Sequence, residues 1–486
     1  MIIVLMAISY ALAAASQLLL ATRLARIVTC TTMLLLDAAI SVLIILEWGD
    51  LSPLVSLYLM LGLFYKMVVS AQILRFRSPL RRIQRSSTRA FTAIGASQLI
   101  ALPFLYVDFP GYLGLIISAA ACLICIMSGL TAYYYFGLYR AQDTSSQLSD
   151  RELPSVSILV PAKDETDELI ACLESITELD YKKLEILVLD DCSSNPKTSE
   201  IIKSYAQKGV RFIAGVQPDP QWLGKNNAYE ALRNEASGDW LLYIGADIRM
   251  KKHTLRQLMS YTLKRHLDMV SVLPIRDPLA VVYPISPLRY WWEHILHRGF
   301  MGRPAVLSSI WLVRANRLKS FGGFKGVSRS IIPERHIAGF VGSKYQFISA
   351  GHDWLTMVTA KQPRARYSTA IRHRYPQLKR RIERVYFVTL AATMITLAMG
   401  YAYVSILWPV AIVATLSVFV SVLLPAITHY RSSAWTRVVL TPWLLLQELA
   451  IINYSMFRYE FSNVLWKGRN VCLPVMRVYQ KLPSID

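Results

Sequence analysis

Between Val156 and Asp247 four short segments follow one another, and three of them are apolar runs that stop at carboxylates. VSILVPAKDE (156–165) is followed by LEILVLDDCSS (184–194), WLGKNNA (222–228) and DWLLYIGAD (239–247). The intervening residues carry helical spacing, as at Leu169, Leu173, Ile176 and Leu179. Short β-branched or leucine-rich runs alternating with helical segments predict a mostly parallel α/β sheet with helices on both faces. The ligand crevice of such a sheet lies beyond the carboxyl ends of its strands. Asp164, Glu165, Asp190, Asp191 and Asp247 are therefore expected to gather there.

The rest of the chain is of another kind. Of 486 residues, 54% are hydrophobic and only 17% charged, which is richer in apolar residues than a soluble chain of this length. Apolar runs at Ile2–Thr22, Ile27–Leu46, Leu54–Leu74, Phe91–Val107 and Tyr112–Tyr139 predict five transmembrane helices within residues 1–140, each near the roughly 20 residues a bilayer needs. Asp37 inside the second run is expected to face neighbouring helices. Arg23 and Arg26 follow the first run, and Arg75, Arg77, Arg81, Arg82, Arg85 and Arg89 the third, whereas Glu47, Asp50 and Asp108 follow the second and fourth. Basic loops stay on the cytoplasmic side, so the amino terminus is expected outside and residues 141–384 inside. Beyond them, residues 385–486 predict two more spans over Val385–Ile427 with a turn near Trp408-Pro409. A segment at Val438–Phe457 follows that either spans or lies in the interface, and then a basic tail. The net charge of +21 fits loops beside an anionic leaflet and requires no nucleic-acid partner. The six cysteines show no metal spacing; Cys122 and Cys125 lie within an apolar run.

With these motifs in hand, residues 156–381 resemble an inverting family-2 glycosyltransferase of the GT-A fold. The nearest branch comprises membrane-bound enzymes that glycosylate lipids, of the ceramide glucosyltransferase and the hopanoid- or carotenoid-type kinds. VLWKGRN (464–470) resembles the Trp-x-Gly-Arg element with which that branch often ends. The resemblance implies a GT-A domain set between two helical membrane bundles. It implies a nucleotide-sugar donor, most simply a UDP-sugar, a lipid acceptor, Mg²⁺ or Mn²⁺, and a multi-pass protein whose catalytic domain is cytoplasmic, in the plasma membrane if bacterial.

Residue by residue, it implies donor contacts from Pro161, Asp164 and Glu165, and from Asp190 and Asp191. The same acids also suit solvated turns, with Asp164 or Thr166 capping a helix or Asp190 starting a turn with Ser193 and Ser194. Lys225, at the expected start of a helix, suits a diphosphate, because free N–H groups and a lysine favour anions there. Asp247 matches one acid of the family's Asp-x-Asp metal motif, with Gly245 in place of the other; one carboxylate plus substrate phosphates can hold Mg²⁺. Glu334, after Phe321-Gly322-Gly323-Phe324, matches the general base, with Arg335 where the family has Asp; a surface ion pair with Arg335 or Arg329 is the plainer reading. Gln377, Arg380 and Arg381 match Gln-x-x-Arg-Trp, with Arg381 replacing Trp, in a run that also suits a basic membrane flank. Tyr290, Trp291 and Trp292 fit either a lipid-headgroup contact or core. Two rival functions stay open: a processive polysaccharide synthase and a degenerate transferase kept as a membrane scaffold.

Overall fold

A computed structural model describes residues 1–19, 23–75, 81–105, 110–140, 148–276, 304–350, 355–361, 363–430 and 439–471. The aromatic run at Tyr290–Trp292 lies outside them. The chain divides into two compact units. One, the helical unit, comprises Met1–Ile126, Arg374–Ser417 and Leu449–Ser462; the other, the α/β unit, comprises Met127–His373, Val418–Glu448 and Asn463–Asp486.

In the helical unit the helices Ile2–Leu19, Arg23–Leu46 and Pro53–Arg75 bury one another's apolar stripes, with Ile2, Met6, Ile40, Ile44, Leu59 and Leu63 at the contact. Elsewhere on these helices large apolar side chains stay exposed, among them Val4, Leu35, Ile45 and Leu46. Asp37 is fully buried between helices, as its sequence position predicts, and its Oδ1 pairs with Lys66 Nζ at 3.0 Å and accepts from Ser9. Among the described residues four helices are long and apolar enough to cross a membrane: Ile27–Leu46, Pro53–Arg75, Ile116–Tyr133 and Ile382–Tyr403. Ile2–Ala15 and Trp408–Ser421 are shorter apolar helices; the expected runs at 2–22 and 91–107 reach partly beyond the described residues. The turn expected near Trp408-Pro409 falls between the helices Ile382–Tyr403 and Trp408–Tyr430. The segment at 438–457 is a helix over Thr441–Phe461, and its Asn453 donates to Thr389 at 3.0 Å.

The α/β unit is built on a seven-stranded sheet. Its strands are β1 (Val156–Ala162), β2 (Leu184–Asp190), β3 (Val210–Ala214), β4 (Trp240–Ile244), β6 (Met269–Leu273), β8 (Ile310–Arg314) and β9 (Tyr345–Ser349). Two short ones fall between, β5 (Ile248–Met250) and β7 (Ile275–Arg276). Their order is β3-β2-β1-β4-β8-β6-β9, and only β8 runs against the others. A three-stranded sheet joins β5, β10 (Met357–Thr359) and β7.

Period-two alternation explains why the strands read as unbroken apolar runs. Ile158, Val160 and Val188 enter one core with Leu169, Leu173 and Ile176 of the Asp167–Thr177 helix. Leu159, Leu187 and Leu189 point to the opposite core with Ala228, Tyr229 and Leu232 of the Gly224–Glu235 helix. A sheet covered on both faces leaves only strand ends for polar residues. There the carboxylates lie.

Candidate active site

The carboxyl ends of β1 and β4 open onto a cavity of about 810 Å³. Pro161, Glu165, Lys225, Gly245 and Asp247 line it, together with Tyr229, Arg329, Lys361 and Arg372. The sequence therefore places four of its candidate residues, Pro161, Glu165, Lys225 and Asp247, around one space.

Asp164 and Asp190 stand beside that space and brace its loops. Asp164 has φ 48°, and its Oδ1 accepts from the backbone N–H of Ser194 at 2.6 Å and Asn195 at 3.1 Å. It thus ties the end of β1 to the loop after β2, not the helix that follows it. Asp190 accepts from Ser193 N–H at 3.0 Å through Oδ1 and from Ser199 Oγ at 2.8 Å through Oδ2. Oδ1 thus serves the Asp-Ser turn that the sequence allowed as the second meaning of this acid, and Oδ2 holds the Lys197–Ser204 helix.

Asp191 is different. It is 2% exposed, its Oδ2 accepts from Arg469 Nη1, and its Oδ1 is buried with no hydrogen-bond partner among the described residues. Burial lifts its carboxyl above the ordinary aspartate range, against the pull of Arg469 and Lys163. Glu165 is likewise raised by burial, opposed by Lys467, with Asp247 and Glu168 adding repulsion.

Lys225 is the second residue of the Gly224–Glu235 helix, as WLGKNNA predicts. Its ammonium lies 4.8 Å from the centre of the Tyr229 ring and donates to Glu334 Oε1. Glu334 opens the Pro333–Val341 helix and has no exposed surface. The surface ion pair with Arg335 or Arg329 does not form: burial takes Glu334 away from solvent and Lys225 supplies the countercharge. The Phe321–Phe324 stretch serves the fold. Gly322 (φ 88°) ends the Ala315–Phe321 helix, and a Cβ on Gly323 would come within 2.5 Å of Glu230 Oε2, which instead accepts from Phe324 N–H at 2.9 Å.

Asp247 follows β4 across the Gly245-Ala246 step. Its Oδ2 accepts from Thr359 Oγ1 at 2.8 Å. A Cβ on Gly245 would lie 2.6 Å from Asp247 Oδ1, so the missing second acid gives the remaining carboxylate its room. Among the described residues no three His, Cys, Asp or Glu side chains converge to hold a metal. Asp247 fits a divalent cation only as one ligand beside oxygens that a substrate brings.

Gln377, Arg380 and Arg381 belong to the helical unit. Gln377 accepts from Arg374 at 3.3 Å, Arg380 (φ 53°) stacks over Tyr459 at 4.8 Å, and Arg381 precedes the Ile382–Tyr403 helix.

The site also holds residues that sequence reasoning did not assign to it. The VLWKGRN segment is a hairpin of β11 (Leu465–Trp466) and β12 (Arg469–Asn470), and Trp466, Lys467 and Arg469 line the cavity. Lys467 donates to Glu165 and to the Lys163 carbonyl. In the sequence the segment stood out only by its resemblance to a Trp-x-Gly-Arg element; nothing local showed where it would dock. Thr359 was missed too, since a lone threonine on a three-residue strand has no signature.

Residues 157–305 match the model of Glycosyl transferase family 2, and the chain carries a GT-A domain of that family. Among curated proteins it is similar to 4,4'-diaponeurosporenoate glycosyltransferase of Staphylococcus haemolyticus, 23% identical over 37% of this chain and 43% of that protein. It is also similar to the poly(ribitol-phosphate) beta-N-acetylglucosaminyltransferase TarS of Staphylococcus aureus, 24% identical over 24% of this chain and 20% of that protein. The chain thus spans less than half the length of either relative. A solved structure, the mannosyltransferase PcManGT from Pyrobaculum calidifontis in complex with GDP-Man and Mn²⁺, is 18% identical. It covers 70% of this chain and 98% of that one, with a TM-score of 0.44.

Proposed function

We propose that the family-2 domain of this chain transfers a sugar from a nucleotide-sugar donor, a UDP-sugar in the simplest case, to a hydroxyl on a membrane lipid. The reaction is an inverting single displacement. The acceptor oxygen bonds to the anomeric carbon as the bond from that carbon to the diphosphate oxygen breaks. The hydroxyl proton passes to Glu334, and the nucleoside diphosphate leaves with the bonding pair.

The observation that carries this reading is the ion pair of the partly exposed Lys225 with the buried Glu334, beside a strand-end cavity that Lys225 lines together with Asp247. A carboxylate with no exposed surface, held by the cation at a helix start, suits a base whose partner can turn to an arriving phosphate. Glu165 and Asp191 supply acceptors for ribose and base donors, and Pro161 shapes that wall. When bound, Mg²⁺ or Mn²⁺ would share Asp247 with the donor phosphates and neutralise the leaving diphosphate.

The lipid acceptor is supported by the apolar helices and by the similarity to a 4,4'-diaponeurosporenoate glycosyltransferase. The topology we infer has five spans in residues 1–140, the domain at 141–384 on the cytoplasmic face, and two spans, a third helix and a basic tail in 385–486. The test incubates membranes containing the protein with labelled nucleotide sugars and weighs the extracted lipids by mass spectrometry. One added sugar per lipid supports the proposal; a long polymer, as a processive synthase would make, replaces it; incorporation no greater than in membranes lacking the chain removes it.

A further inference from the structure

The 464–471 hairpin lines the cavity with Trp466, Lys467, Arg469, Asn470 and Val471. Lys467 (φ 45°) and Gly468 (φ 78°) form its two-residue turn, and at its open end Val471 N–H donates to the Val464 carbonyl at 2.8 Å. Such turns favour Asn-Gly, because a long side chain at the first central position is strained. Here the strained residue is a lysine whose ammonium reaches Glu165 and the Lys163 carbonyl.

Two residues on, Arg469 donates through Nη1 to Asp191 Oδ2 and through Nη2 to the Asp191 carbonyl at 3.1 Å and Gln217 Oε1 at 3.2 Å. The guanidinium also lies against Gly224, the first residue of a 12-residue helix: a Cβ there would fall 2.2 Å from Nη1. A helix start favours an anion, so a cation seated over it is out of place electrostatically unless a carboxylate neutralises it. Asp191 does so with one oxygen, while its other, buried oxygen accepts from no donor among the described residues. The two carboxylates suited to a nucleotide's ribose and base are thus both held by this hairpin, and the phosphate end of the helix is covered by it.

Building on the nucleotide-sugar reading, we propose that the 464–471 hairpin is an autoinhibitory strap occupying the nucleoside diphosphate's place, which the donor displaces by taking Glu165 and Asp191 from Lys467 and Arg469. The occupant it yields to is a nucleoside diphosphate: hydroxyl and imide donors for the two acids, and an anion for the helix start. Trp466, 5.3 Å from the Arg372 guanidinium in a cation–π contact, is the hairpin's other anchor.

The test titrates UDP, and separately GDP, into the full detergent-solubilised chain by calorimetry, for the wild type and for the Lys467→Met/Arg469→Met double variant. The expected result is about tenfold tighter binding by the variant, which corresponds to about 1.4 kcal/mol. In the wild type alone, where folding of a variant is not at issue, saturating nucleotide should speed amide hydrogen exchange over 464–471. Unchanged or weaker binding by the variant, or slowed exchange, overturns the strap while leaving the donor site standing. If neither nucleotide binds either protein, the nucleotide-sugar reading falls and the strap falls with it.

Discussion

The ammonium of Lys225 and the carboxylate of Glu334 form a hydrogen-bonded ion pair between the first turns of two helices, with Glu334 sealed from solvent. An arriving diphosphate competes with Glu334 for the lysine. Glu334→Gln keeps the shape and removes the base. General-base loss costs about 10²–10⁴-fold. The kcat of Glu334→Gln should fall by that order with nucleotide affinity nearly unchanged, as kinetics and calorimetry on the same preparation would show. Lys225→Met should instead weaken nucleotide binding.

Asp247 is held by Thr359 at 2.8 Å. Thr359→Val removes that hydrogen bond while keeping nearly the same shape, so the carboxylate stays but is less well aimed. A higher Mn²⁺ concentration for half-maximal transfer is the expected outcome, with circular dichroism unchanged. Restoring a second acid by Gly245→Asp should not strengthen metal use, because its Cβ falls 2.6 Å from Asp247 Oδ1 and the two carboxylates must first move apart.

Burial raises the Asp191 carboxyl above its usual range, despite Arg469. The folded chain therefore binds that proton before the unfolded chain does. The stability from this ionisation is present below the ordinary aspartate value and lost as pH rises through the raised one. Thermal unfolding of wild type and Asp191→Asn should show the wild-type advantage shrinking as pH rises from about 4, then levelling off. An advantage that grows over that window contradicts the burial argument.

Gly238 lies where β4 begins, and a Cβ there would meet Ser157 N at 2.6 Å and Val156 C at 3.0 Å. Backbone atoms of a central strand cannot yield as a flexible side chain can. Gly238→Ala should therefore cost about 1–3 kcal/mol, the usual range for overpacking, read as a lowered unfolding midpoint.

The sheet and its carboxylates were legible because periodicity and strand-end acids are local signals. Leu169, Leu173 and Ile176 predict a helix face, and they are buried on one. Lys225 was legible for the same reason, since Gly-Lys before an Asn-Asn-Ala run marks a helix start. Partnerships between distant residues were not. Glu334 and Lys225 are 109 positions apart, and Arg469 and Asp191 are 278 apart. No spacing rule links such pairs; only the closed fold brings them together. The two strand-end acids Asp164 and Asp190 share the residue type of their neighbours yet brace loops, a distinction set by Ser193, Ser194 and Ser199.

The account stands or falls on whether Glu334 and Asp247 act together on a bound nucleotide sugar. Membranes carrying wild type, Asp247→Ala or Glu334→Gln, given labelled nucleotide sugars and assayed for labelled lipid at equal folded protein, test that directly. Transfer by the wild type and loss of about 100-fold or more in each variant is the predicted result. Wild-type rates in both variants would contradict it.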